Sequence, residues 1–202
     1  MPSLILLRHG QSIWNLENKF TGEVDVDLTK LGEQEARLAG MLLENYIIDI
    51  AYTSVLKRAI HTLEIILDEM GNHFDVIQTT ALNERNYGDL QGMNKQEIIN
   101  KYGEDKVQAW RRSYSTRPPN GESLKDTYNR VIPYYKTVIE PQLKEDKNIL
   151  VVAHGNSLRA LMMFIDGYSA KEIANVNIAA GIPRVYEFSP DMKLETVDYL
   201  EE

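Results

Sequence analysis

Two apolar runs in this chain end on the same short phrase. Leu4-Ile5-Leu6-Leu7 leads into Arg8-His9-Gly10-Gln11-Ser12, and Ile149-Leu150-Val151-Val152-Ala153 leads into His154-Gly155-Asn156-Ser157. An aliphatic run with no polar alternation predicts a parallel strand buried on both faces, and the glycine just after it marks the strand's end. Each histidine then stands at a strand's C-terminal tip, the edge at which open α/β sheets bind ligands. Two imidazoles 145 positions apart in sequence can therefore meet over one pocket.

The remainder of the chain alternates strands and helices in the way such a sheet needs. A first strand over Ser3 to Leu7 is followed by a loop from Arg8 to Asp27 and a helix opened by Thr29, with Leu38/Leu42 and Ala39/Leu43 at i,i+4 spacing. Ile47 to Thr53 reads as a second strand, and Ser54 as the cap of a helix whose stripe is Leu56, Ala59, Ile60, Leu63, Ile66, Leu67 and Met70. A short strand over Phe74 to Thr79 precedes the stretch from Ala81 to Gly92, which has neither period and reads as an ordered loop. Asn94 with Glu97 caps a short helix stopped by Gly103, and a second helical piece carries Trp110, Arg111 and Arg112. After the loop Arg117-Pro118-Pro119-Asn120-Gly121, Ser123 with Asp126 restarts a helix, in which Pro133 predicts a kink near Val131 and Ile132. The strand from Asn148 to Ala153 leads into a helix from Ser157 to Ile165, Ser169 and Glu172 cap a short helix, and two strands near Arg184 to Phe188 and Leu194 to Tyr199 finish the chain. The predicted fold is a single α/β domain over 1–202, a mostly parallel central sheet with helices on both faces. The strandless helical segment from about 92 to 120 is placed as a lid insertion over the strand C-terminal ends.

A length of 202 residues suffices for a large core without staples. With no cysteine, disulfide frameworks, Cys-based zinc sites and thiol catalysis are excluded, and a reducing compartment is expected. No apolar stretch is long enough to span a bilayer and no basic flank leads into an apolar leader, so the expected location is cytoplasmic. The formal charge of −8 argues against nucleic acid or an anionic membrane as partner. An anionic small molecule needs only local basic groups, and these occur at Arg8, Lys57-Arg58, Lys95 and Arg111-Arg112. No His-x-x-x-His pattern or His and carboxylate cluster suggests a metal site.

Arg8-His9-Gly10, Phe20-Thr21-Gly22, Leu82-Asn83-Glu84-Arg85-Asn86-Tyr87-Gly88, Gly92-Met93-Asn94-Lys95, Trp110-Arg111-Arg112, Asn120-Gly121-Glu122-Ser123 and Ala153-His154-Gly155-Asn156-Ser157 together carry a resemblance. The chain resembles the histidine phosphatase superfamily and, within it, the 2,3-bisphosphoglycerate-dependent phosphoglycerate mutases, with similarity running from the first strand to about Phe188. The resemblance implies a phosphoglycerate mutase-like fold and interconversion of 2-phosphoglycerate and 3-phosphoglycerate through a phosphohistidine primed by 2,3-bisphosphoglycerate, without metal. It implies His9 as the nucleophile, Arg8 and Arg58 as holders of the transferred group, His154 as a stabiliser of its charge and Glu84 as the proton carrier. Asn15, Thr21, Gly22, Arg85, Tyr87, Lys95, Arg111, Arg112, Gly155 and Asn156 match the phosphate and carboxylate contacts. A homo-oligomer, dimer or tetramer, is also implied. The chemistry is coherent: neutral imidazole can attack phosphorus, guanidinium forks match phosphate oxygens, and a carboxyl group can return the proton.

The chain departs from the family's pattern at Glu23, where Trp is usual, at Ala179-Ala180-Gly181, where Pro-Thr-Gly is usual, and between Pro119 and Asn120, where longer members carry an extra segment. A carboxylate at 23 would repel an anionic substrate unless it turns away. Two rival readings stand beside the mutase: a phosphatase of small phosphate esters, whose phosphoenzyme gives its group to water, and a catalytically inactive binding protein on the same fold.

Overall fold

The computed structural model describes residues 1–201. Six strands form one sheet: β1 (Ser3–Arg8), β2 (Ile50–Thr53), β3 (Asp75–Gln78), β4 (Ile149–Ala153), β5 (Arg184–Phe188) and β6 (Leu194–Tyr199), in the spatial order β3-β2-β4-β1-β5-β6. The first four in that order pair in parallel, while β5 pairs antiparallel with β1 and β6 antiparallel with β5, so the sheet is mostly parallel as expected. The helices are α1 (Ile13–Leu16), α2 (Lys30–Leu42), α3 (Lys57–Met70), α4 (Lys95–Tyr102), α5 (Glu104–Arg112), α6 (Leu124–Tyr134), α7 (Glu140–Lys144) and α8 (Gly155–Ile165).

Residues alternate faces along a strand, and here both faces are covered. Ile5, Leu7, Leu150 and Val152 pack against Ala39 of α2, Leu43 just after its end, and Ala59, Leu63 and Ile66 of α3. Leu4, Leu6, Val151 and Ala153 pack on the opposite side against Val131 and Ile132 of α6, Leu143 of α7 and Leu158 and Leu161 of α8. That double burial explains why β1 and β4 read as unbroken aliphatic runs. A third, smaller core lies apart from the sheet, where Phe20, Leu90, Ile98, Val107 and Trp110 hold α4 and α5 against two loops.

Several boundaries differ from the sequence reading, each for a local reason. β2 begins at Ile50, because its neighbour β4 begins at Ile149 and residues before Ile50 find no strand to pair with; Ile47 is exposed. Ser54 does not cap α3. The Lys57 N–H at that helix start donates instead to Asp25 Oδ1 at 2.7 Å, and Ser54 turns toward His154. Pro133 puts no break at Val131 and Ile132; α6 continues through Tyr134, and the chain adjusts in the next turn, a π-helical stretch over Tyr135–Ile139 where Thr137 Oγ1 donates to the Pro133 carbonyl at 2.8 Å. α8 starts at Gly155 with His154 as the cap residue, since Ser157 Oγ reaches back to the His154 N–H at 3.1 Å. Ser169 and Glu172 bond reciprocally, yet only a single 3₁₀ turn, Ile173–Asn175, follows them. The caps at Thr29, Asn94 and Ser123 form as read.

Leu161 lies on α8 with no exposed surface, packed toward the sheet. Leu161→Ala is expected to cost about 2–5 kcal/mol of unfolding free energy in urea titrations, the range for emptying a buried leucine site. A loss below about 1 kcal/mol would contradict the packing described.

Candidate active site

β1 and β4 are neighbours in parallel register, Arg8 opposite Ala153, so the residues that follow both leave the sheet at one edge. The His9 N–H donates to the Ala153 carbonyl at 3.1 Å, and the two imidazole rings lie 4.9 Å apart, tilted by 58°. Both are buried, His9 3% and His154 0% exposed.

The hydrogen bonds around His9 define its tautomer. Its Nδ1 is 2.6 Å from the Gly10 carbonyl, which can only accept, so Nδ1 carries the proton and Nε2 the lone pair. Nε2 faces the Arg58 Nε donor at 3.3 Å. Burial, followed by the charges of Arg58 and Arg8, holds the His9 pKa well below the usual 6.5, so the ring is neutral. His154 is depressed likewise by burial, then by Arg58. Its Nε2 lies 2.7 Å from Ser54 Oγ, and its Nδ1 is buried without a partner.

Arg58 is the second residue of α3 and only 1% exposed. Among the described residues no carboxylate bonds to it. Its Nη1 and Nη2 donate to the carbonyls of Val24 and Gly22 at 3.0 and 2.7 Å, and Gly22 presents its carbonyl from a left-handed turn with φ 56°. Burial lowers its pKa to about 10, which leaves it charged at neutral pH. Arg8 Nη1 donates to the Ile178 carbonyl at 2.9 Å, and the Gly181 N–H donates to the Arg8 carbonyl, so the segment with Ala179-Ala180-Gly181 braces this arginine.

The cavity at this edge has a volume of about 280 Å³. His9, Arg8, Arg58, Asn15, Thr21, Gly22, Glu84, Tyr87, Lys95, Arg111, Arg112, Gly155 and Asn156 all line it, which brings together most of the residues read from sequence. Asn15 Oδ1 accepts from the Ser12 N–H at 3.0 Å, which leaves its amide NH₂ for a ligand. Glu84 Oε1 accepts from the N–H groups of Arg85 and Asn156 at 2.7 and 3.1 Å, the latter in the first turn of α8, and Oε2 is left free. Lys95 opens α4, while Arg111 and Arg112 close α5, where the helix dipole favours cations. Burial and the Arg111 charge lower the pKa of both Lys95 and Arg112.

Arg85 and His154 are the two sequence candidates not on the wall. Arg85, fully buried, lies beneath it and donates through Nη2 to Tyr87 Oη at 2.9 Å and to the Arg111 carbonyl at 2.8 Å. Burial opposes ionisation of Tyr87, but the Arg85 charge and the hydrogen bonds from Arg85 and Asn156 together outweigh it, and the phenol lies below its ordinary pKa. Glu23 also stays off the wall, its carboxylate bonded to Asn83 and Asn86, so it does not face a ligand. Sequence reasoning missed Arg159, Asn177, Lys19 and Phe20, all lining residues. Arg159 lies one helical turn after Asn156 and donates to its Oδ1 at 3.0 Å; that i,i+3 spacing was the available signal. Its pKa falls to about 10, through burial and then the Arg112 charge.

Seven basic side chains thus line the pocket against one carboxylate, Glu84, and of the seven only Lys19 has an acidic partner among the described residues. Such a site selects a small, multiply charged anion. The description "Histidine phosphatase superfamily (branch 1)" matches residues 4–194. The chain belongs to that family. It is 58% identical over 200 residues to the 2,3-bisphosphoglycerate-dependent phosphoglycerate mutase of Cytophaga hutchinsonii, covering 99% of this chain and 94% of the relative. The protein of the same name from Bartonella tribocorum is 50% identical over 197 residues, 96% of each chain. Among solved structures, Bacillus stearothermophilus YhfR superposes with a TM-score of 0.85 at 25% identity, covering 96% of this chain and 95% of that one. The alpha-ribazole phosphatase of Shigella flexneri shares the fold at a TM-score of 0.79 and 24% identity, covering 95% of each chain.

The depressed histidines link stability to pH. Near and below pH 6.5 the unfolded chain protonates these rings while the native state does not, so their contribution is fully present above about pH 6.5 and is lost as pH falls toward the native values. Urea unfolding between about pH 7 and pH 5 should therefore show stability falling with acid, by up to about 1.4 kcal/mol per pH unit for each histidine. His154→Gln is expected to show a shallower slope than the wild type. Equal slopes would mean that His154 titrates normally.

Proposed function

We propose that the chain interconverts 2-phosphoglycerate and 3-phosphoglycerate, in glycolysis and gluconeogenesis, through a phosphohistidine on His9. One observation carries the reading: a neutral imidazole with its Nε2 lone pair directed at Arg58, in a pocket of seven cations and one carboxylate. The names of the relatives agree with it. His9 Nε2 attacks phosphorus, the P–N bond forms as the ester P–O bond breaks, and Glu84 gives its proton to the departing oxygen. In the return step the second hydroxyl gives its proton to Glu84, attacks phosphorus, and releases His9. Arg8, Arg58 and His154 stabilise the charge on the phosphoryl oxygens, a role that positioned donors fill without reorganisation.

Asn15, Thr21 and Gly22 border the transferred group, while Tyr87, Lys95, Arg111, Arg112, Gly155 and Asn156 hold the rest of the substrate. Arg85 supports Tyr87 from beneath. The cation excess fits 2,3-bisphosphoglycerate, whose chemistry when bound is to supply the phosphoryl group that primes His9; Arg8, Arg58, Lys95, Arg111 and Arg112 would hold it. In this reading residues 1–202 act as a single domain, with the 92–120 segment as a lid. The absence of cysteine from the sequence supports a cytoplasmic setting. Strand β3 supports a homo-oligomer: it is an exposed sheet edge with Val76 and Ile77 open to solvent, suited to a second copy of the chain.

The deciding assay mixes the protein with 3-phosphoglycerate, with and without 2,3-bisphosphoglycerate, and follows 2-phosphoglycerate and free phosphate. Isomerisation that depends on the bisphosphate is expected, at a rate unchanged by EDTA, because the cations that a metal would replace are side chains. Free phosphate as the main product would favour the phosphatase, and neither product the inactive binding protein. Labelling with 2,3-bisphosphoglycerate is expected on His9 alone: His9→Ala takes up no label, and His154→Ala labels slowly because only charge stabilisation is lost. A label mapped to His154 would overturn the assignment.

A further inference from the structure

Glu23 stands between two residues that hold the phosphoryl clamp in place. The carbonyls of Gly22 and Val24, on either side of it, accept from Arg58 Nη2 and Nη1. Its own carboxylate reaches across to another loop, where Oε1 accepts from Asn83 Nδ2 at 3.2 Å and Oε2 from Asn86 Nδ2 at 2.9 Å. Those two asparagines bracket Glu84 and Arg85 in sequence. A carboxylate only accepts and an amide NH₂ only donates, so the pairing also orients both amides. Their oxygens are thereby directed to backbone donors: Asn83 Oδ1 to the Val55 N–H at 3.3 Å, and Asn86 Oδ1 to the Gly88 N–H at 2.7 Å. A parallel tie runs through the main chain, since Gln91 Oε1 accepts from the N–H groups of both Glu23 and Tyr87, at 3.0 and 3.2 Å.

We infer that Glu23 is a positioning residue for Glu84, linking the loop that locks Arg58 to the loop that carries the proton between substrate oxygens. The inference rests on the reading of Glu84 as that carrier. Glu23 touches no reacting atom. Its effect is on the separation between the phosphoryl clamp and the free Glu84 Oε2, a distance to which proton transfer is sensitive because misplacement of about 1 Å costs up to about 10²-fold in rate. A neutral amide at position 23 would do half the task, one oxygen accepting from one asparagine and its NH₂ opposing the other.

The test is a double-mutant cycle in the mutase assay, with thermal unfolding as a check that each variant is folded. Glu84→Gln alone is expected to lose about 10²-fold to 10⁴-fold in kcat. Glu23→Ala should lose about tenfold in kcat with KM within about twofold, and Glu23→Gln should fall between it and the wild type. In the Glu84→Gln background, Glu23→Ala should cost nothing further, because the group through which it acts is gone. Losses of equal size in both backgrounds, a change confined to KM, or wild-type kcat in Glu23→Ala would overturn the positioning role alone. Wild-type kcat in Glu84→Gln would instead remove the proton-carrier reading, and this inference with it.

Discussion

Everything at the site depends on the register of one pair of parallel strands. With Arg8 opposite Ala153, the ladder between β1 and β4 runs one bond past the strands, to the His9 N–H itself. The 4.9 Å between the imidazoles is therefore set by backbone hydrogen bonds rather than by side-chain adjustment. A slip of one residue would exchange the two faces of a strand and carry one ring away from the other, and burial on both faces makes such a slip costly. The aliphatic identity of the strands is thus what aligns the chemistry.

Around that pair the protein buries cations without matching them to acids. Arg58 is held by the carbonyls of Gly22 and Val24, Arg8 by that of Ile178, and Arg112 and Arg159 both by that of Val176. Carbonyl dipoles fix the position of a guanidinium but leave its charge intact, whereas a carboxylate partner would compete with an incoming phosphate. Burial is the main reason that His9 stays neutral, and the same field adds to it, because a further positive charge there is opposed by Arg58 and Arg8. The cations that draw an anion to the pocket thus also help to hold this imidazole in its neutral form.

Those parts of the fold that rest on repeating patterns were readable from the residues. Unbroken aliphatic runs marked β1 and β4, and the caps at Thr29, Asn94 and Ser123 marked helix starts, since each depends only on neighbours in sequence. What depends on distant partners was not. Ser54 has the character of a cap, but Asp25 takes that role from 32 positions away and releases Ser54 to His154. Arg85 belongs to the same motif as Glu84, yet it turns inward, because its guanidinium finds Tyr87 and the Arg111 carbonyl there. Arg159 was marked only by its i,i+3 spacing from Asn156; the fold, not the spacing, brings Asn177 and Arg112 to the same wall.

The small core of Phe20, Leu90, Ile98, Val107 and Trp110 shares no member with the two cores that flank the sheet. Lys95 and the Arg111-Arg112 pair are carried on helices anchored by that core, whereas His9, Arg58 and His154 are anchored by the sheet and α3. The two histidines with Arg58, and the outer cations, are consequently held by different packing units. Repacking Leu90, Ile98, Val107 and Trp110 would move Lys95 and the Arg111-Arg112 pair while leaving the ladder between β1 and β4 as it is, so one strand scaffold can present different cation arrangements to different anions.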